Sequence, residues 1–88
     1  MAAVSIVSGY PKTNVNGSSR ELYYQFAIAA DGDYLDVPMR TVENATFTTD
    51  VDTEGVGIAS ISLQGYGSRI TLDIASTVTV CYARVTGK

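Results

Sequence analysis

Residues 22–29 read Leu22-Tyr23-Tyr24-Gln25-Phe26-Ala27-Ile28-Ala29. Side chains of an extended chain alternate between two faces, so Leu22, Tyr24, Phe26 and Ile28 fall together on one side. The smaller and more polar Gln25, Ala27 and Ala29 fall on the other with Tyr23. A helix is the competing reading, since Ser18 and Glu21 make a Ser-x-x-Glu cap and Gly32 supplies a stop. Wound at 3.6 residues per turn, however, residues 20–29 leave almost no polar face. The aromatic and β-branched side chains also favour a pleated surface. The stretch reads as a strand.

The same period of two recurs outward in both directions. Ile70, Leu72 and Ile74 alternate with Thr71 and Asp73. Val78, Val80 and Tyr82 alternate with Thr77, Thr79 and Cys81, and the run continues to Val85. In the stretch 56–63, Val56, Ile58, Ser60 and Ser62 oppose Gly57, Ala59, Ile61 and Leu63. Val4, Ile6 and Val7 begin another strand, and the Thr-rich stretch 41–49 with Phe47 makes a more polar one. Turn chemistry separates these runs: Asn16-Gly17-Ser18-Ser19, Asp31-Gly32-Asp33, Gly65-Tyr66-Gly67-Ser68 and the tight link Ala75-Ser76. Pro11 and Pro38 stand at breaks, where a missing ladder donor costs least. Turns every 8–14 residues or so fit an all-β fold, a small antiparallel β-sandwich or barrel of about six to eight short strands with negligible helix. The expected core is Phe26, Ile28, Ile58, Ile61, Ile70, Leu72, Val78 and Val80, with Tyr24 and Tyr82 in phase with it. The stretch 77–83 has no charge or proline to blunt an exposed edge, so it belongs at the centre of a sheet or under a neighbouring chain.

At 88 residues the chain is read as a single β domain spanning 1–88. For a core this small, burial only narrowly exceeds the cost of ordering the chain, so help from a partner or from self-association is expected. Composition excludes several classes of function. There is no His and only one Cys, Cys81, which leaves no Ser-His-Asp or Cys-His nucleophile and no Cys/His zinc site. A single Cys makes no internal disulfide, and Cys81 reads as a buried, inert thiol. The net charge is −3 and the pI near 4.5, without the basic stripe a nucleic-acid binder carries. No stretch is long and apolar enough to span a membrane as a helix, and the N-terminus lacks a signal peptide's charged start. The expectation is a non-enzymatic protein without cofactor, made in a reducing compartment and not exported by a signal.

Few constellations remain. Asp31, Asp33 and Asp36 surround one turn, and Asp50, Asp52 and Glu54 follow in another. Neither cluster has the spacing of an EF-hand loop, and a domain this small offers no cleft for a glycosidase pair, so solvated hairpin ends are the simpler reading. Two sequons, at Asn16 and Asn44, carry no meaning without export. Gly65-x-Gly67 joins two strands, not a strand and a helix, and so is no phosphate loop. Six of the eight aromatics are tyrosines. Tyr10, Tyr34 and Tyr66 sit in or beside turns, where folding does not require them, and are the candidate interface anchors.

The short start Val4-Ser5-Ile6-Val7, the Asn14-Val15-Asn16-Gly17 turn, the long strand 20–29, the Asp31-Gly32-Asp33-Tyr34 turn, the strands around Ile70-Thr71-Leu72 and Val78-Thr79-Val80, and the Gly87-Lys88 end together resemble a small virion protein of tailed bacteriophages, of the capsid decoration or cement type. The resemblance spans about the whole chain as pattern and composition, with no signature residue to carry over. It implies a structural protein of the virion, made in the host bacterial cytoplasm, with the major capsid protein and other copies of itself as partners. The alternative from the residues alone is a small carbohydrate- or peptide-binding β module, with the loop tyrosines as its platform.

Overall fold

In the computed structural model, which describes residues 2–16, 19–49, 56–75 and 77–88, the alternating stretch forms the longest class of strand. β3 (Ser19–Ile28) pairs antiparallel along nearly its whole length with β8 (Val78–Gly87). Around this pair a five-stranded sheet runs β1-β3-β8-β5, with β2 also on β3; here β1 is Ser5–Ile6, β2 Lys12–Asn16 and β5 Val42–Thr49. A second sheet runs β4-β7-β6, with β4 at Tyr34–Val37, β7 at Gly67–Ile74 and β6 at Val56–Gln64. The two antiparallel sheets make a small β-sandwich, and the described residues contain no helix. β8 is central, one of the two placements that the uncharged, proline-free stretch 77–83 implied. Residues 17–18 and 76, read from the sequence as turn positions, and the acidic stretch 50–55 lie outside the described residues.

The core lies between the sheets. Leu22, Tyr24, Phe26 and Ile28 of β3 meet Leu35 and Val37 of β4 and Ile70, Leu72 and Ile74 of β7, with Met39 and Val4 closing its ends. The Phe26 and Phe47 rings meet edge to face, centroids 6.3 Å apart, the arrangement their quadrupoles favour. Burial pushes the Tyr24 phenol up to about 12.

The expectations for four residues, Ile58, Ile61, Val80 and Tyr82, need correction, and two bulges account for most of the difference. In β8, Cys81 lies opposite Phe26 and Val78 opposite Ile28, so three residues of β8 span two of β3. One extra residue reverses the alternation. Cys81, Ala83 and Val85 therefore point inward, Tyr82 is exposed, and Val80 is only half-buried. In β6, Ile58 lies opposite Leu72 and Ser60 opposite Thr71, which leaves Ala59 as the extra residue. That bulge puts Ile58 on the same face as Ile61 and Leu63, although Ile58 and Ile61 are an odd number of residues apart. The face is the inward one, shared with Leu72 and Ile70, yet Ile58 and Ile61 are not core residues. β6 is the outermost strand of its sheet; Val56 at its start packs on the core, whereas Ile58, Ile61 and Leu63 beyond it are left exposed.

Local devices hold the ends. Gly32 takes φ +88° in the turn before β4, where a side chain is disfavoured. Asp33 is buried there, its Oδ1 accepting from the Ala2 N–H and its Oδ2 from the Ala30 N–H, both at 3.1 Å. Asp31 Oδ1 accepts the Ile74 N–H at 2.9 Å. These carboxylates satisfy backbone donors between elements and do more than solvate a hairpin end. At the other end of the sandwich, Thr41 and Lys88 exchange backbone hydrogen bonds of 3.2 and 2.9 Å. A side chain on the intervening Gly87 would collide with the Thr41 carbonyl oxygen.

Candidate interaction surface

Two of the three candidate tyrosines come together on the outer face of the β4-β7-β6 sheet, joined by a residue the sequence did not single out. Register sets Asp36 of β4 opposite Arg69 of β7, and Arg69 opposite Ser62 of β6. Arg69 Nε donates to Asp36 Oδ1 at 2.9 Å, and its Nη2 donates to Tyr66 Oη at 2.9 Å. The guanidinium lies 3.8 Å from the centre of the Tyr34 ring, a cation–π stack. Hydrogen bonding to Asp36, foremost, holds the guanidinium even more firmly protonated than usual. Partial desolvation and then the nearby Asp36 carboxylate raise the Tyr66 phenol. The result is a tethered aromatic and guanidinium platform whose carboxylate is already engaged. Tyr66, its member in the β6–β7 turn, is 55% exposed.

Tyr10 does not join them. It sits between β1 and β2 in the other sheet, beside its cis peptide bond to Pro11, with Lys12 Nζ 5.2 Å from its ring centre. Arg69 escaped the sequence reading, and Asp36 was read only as part of an acidic turn, because the two are 33 positions apart and meet only through register. The one available signal was that Arg69 alternates with Ile70 and so faces outward.

The platform has the chemistry of binding. Its ionisable groups bond to one another, leaving no free base beside a nucleophile. The described residues hold no cluster of three or more acidic, His or Cys side chains suited to a metal ion. A shallow hollow bounded by Ala29, Ala30, Asp31, Ile74, Ala75 and Thr77 has its carboxylate occupied by the Ile74 N–H. Cys81 is fully buried, and burial pushes its thiol up to about 11, where it is a poor nucleophile at neutral pH.

Next to the platform lies the sandwich's open side. Ile58, Ile61 and Leu63 are 41%, 46% and 58% exposed although they point to the inward side of β6. Among the described residues, the other sheet edges are each blunted. Backbone bonds between Val4 and Tyr34 and between Tyr34 and Ala2 lay the N-terminal segment along β4. Pro11 and Lys12 guard the β1/β2 edge, and a bulge with charged Glu43 interrupts β5. β6 has no proline and no charge from Val56 to Gln64, and its bulge at Ala59 leaves Ser60–Gln64 in regular pairing. Native proteins normally protect such an edge.

Comparison with protein-family models, curated proteins and solved structures yields no match.

Proposed function

We propose that this protein is a non-enzymatic structural component that decorates or cements a bacteriophage capsid, with the major capsid protein and other copies of itself as partners and the virion as its place of work. One observation carries the reading: the sandwich is unfinished, with Ile58, Ile61 and Leu63 turned inward along an uncharged edge and left in water. A surface of this kind supports a role in assembly. The whole-chain resemblance to small phage virion proteins supplies the particular assembly. In this reading the Tyr34, Asp36, Tyr66 and Arg69 platform faces the capsid, since tyrosine and arginine dominate interface energetics.

The test is sedimentation of the purified protein with capsids that lack it. Saturable cosedimentation at low micromolar protein, lost in the double variant Tyr66→Ala, Arg69→Ala, supports the reading. Absence of cosedimentation at tens of micromolar defeats it. The platform favours one other reading, a carbohydrate- or peptide-binding module, because an exposed tyrosine beside a fixed guanidinium also suits sugars and peptide backbones. Glycan- and peptide-array binding that depends on Tyr66, by a protein that ignores capsids, selects it.

A further inference from the structure

We infer that the occupant of the β6 edge is a second copy of this chain, joined by antiparallel pairing of β6 with its own symmetry mate. The inference rests on the assembly reading above and identifies one of its partners.

Symmetry selects the arrangement. A two-fold axis normal to the sheet pairs the two β6 strands antiparallel and keeps both inward faces on the same side. Parallel pairing about an axis along the strands would turn the two apolar faces to opposite sides, leaving each uncovered. The regular stretch Ser60–Gln64 then pairs about its own midpoint. Ser62 lies opposite the partner's Ser62, Ile61 opposite the partner's Leu63, and Ser60 opposite the partner's Gln64. Aliphatic side chains line the inner seam and serines the outer face, so the strand is complementary to itself. With no charge between Val56 and Gln64, the pairing strands no ion in the seam.

The outcome is a continuous six-stranded sheet, β4-β7-β6-β6-β7-β4, with both five-stranded sheets on one side of it. The Ile58, Ile61 and Leu63 side chains of both copies fill the gap beneath the joint. A stable interface takes roughly 600–1,000 Å² from each partner, so the joint must bury about an eighth to a fifth of the 4,937 Å² surface. The platform stays outside the joint's inner seam, on the opposite face of the sheet, which leaves it available to the capsid.

Sedimentation equilibrium of the full chain and two variants decides this. The wild type should run at twice 9.3 kDa at about 50 µM, and Ile61→Lys should run as a folded monomer, its dimer dissociation constant raised at least ~100-fold by a charge placed in the apolar seam. Because Ile61 is half exposed, the variant should keep the wild-type circular dichroism. Ser62→Cys should form an intermolecular disulfide under mild oxidation, because opposed antiparallel residues lie ~4.5–5.5 Å apart between Cα atoms. Thr46→Cys, on the outer face of β5, should not. A wild type monomeric at ~100 µM overturns the inference, as does a dimer that tolerates Ile61→Lys and leaves Ser62→Cys unlinked. The two proposals fail separately: a dimer that ignores capsids defeats only the capsid reading, and a monomer that binds them defeats only this one.

Discussion

Ile61 and Ile70 make a matched pair for testing the open side of the sandwich. They lie opposite one another on adjacent strands, on the same face, and differ in cover: Ile70 is fully buried and Ile61 is 46% exposed. Isoleucine to alanine removes three carbons at either site. At ~0.8 kcal/mol for each buried carbon, Ile70→Ala loses about 2.4 kcal/mol of transfer energy. The cavity left behind brings the total to about 3–5 kcal/mol. At Ile61 roughly half that surface already meets water, so the transfer loss is about 1 kcal/mol with no cavity to add. Urea unfolding at about 1 µM, dilute enough to keep copies apart, measures both by the midpoint at constant slope. Equal losses near 3 kcal/mol would mean that one chain covers its own β6, and the account of the open face fails. A loss under about 1 kcal/mol at Ile70 would mean the sheets do not pack as described.

Other outcomes follow from particular contacts. Gly87→Ala should cost about 1–3 kcal/mol in denaturant unfolding, because its methyl group meets the Thr41 carbonyl oxygen; a neutral result would contradict the close approach there. Burial raises the Cys81 thiol from 9.0 to about 11 and the Tyr24 phenol from 10.0 to about 12, so the folded chain keeps protons that the unfolded chain has released. Their stabilisation is complete below about pH 9 and drains away between about pH 9 and 12, and Cys81→Ala with Tyr24→Phe should flatten that alkaline fall in melting temperature. Arg69→Lys should weaken capsid binding at least ~10-fold with little change in melting temperature, since lysine cannot at once stack on Tyr34 and bridge Asp36 to Tyr66. Full binding by that variant would remove the platform from the interface.

Alternation was a sound guide where the strand stayed regular and its face was covered. β3 and β7 meet both conditions, and Phe26, Ile28, Ile70 and Leu72 are buried as their spacing implied. Bulges broke the rule elsewhere. One extra residue in β8 moved Cys81 inward and Tyr82 outward, and one in β6 brought Ile58 into line with Ile61 and Leu63. Nothing local marks a bulge in Val78-Thr79-Val80-Cys81 or Ile58-Ala59-Ser60. Facing inward is also distinct from being covered, and cover depends on the breadth of the opposing sheet. The short strands β2 and β4 went unread because Lys12-Thr13-Asn14-Val15-Asn16 is polar and Tyr34-Leu35-Asp36-Val37 is only four residues long. At the candidate site, turn position pointed to Tyr34 and Tyr66, whereas Arg69 joins them only through a register set by the whole sheet.

The central claim, that β6 is an edge awaiting a strand, is tested most directly by amide hydrogen exchange along Val56–Gln64 as a function of protein concentration. The amides that β6 directs away from β7 pair with no strand among the described residues, so they should exchange quickly in dilute protein and slow at least ~10-fold as the concentration rises and copies pair. Amides of β3 and β8, at the centre of the other sheet, should be protected throughout. Uniform protection of β6 in dilute protein would show that the edge is already covered within one chain. Fast exchange that persists at high concentration would show that no second copy takes its place there.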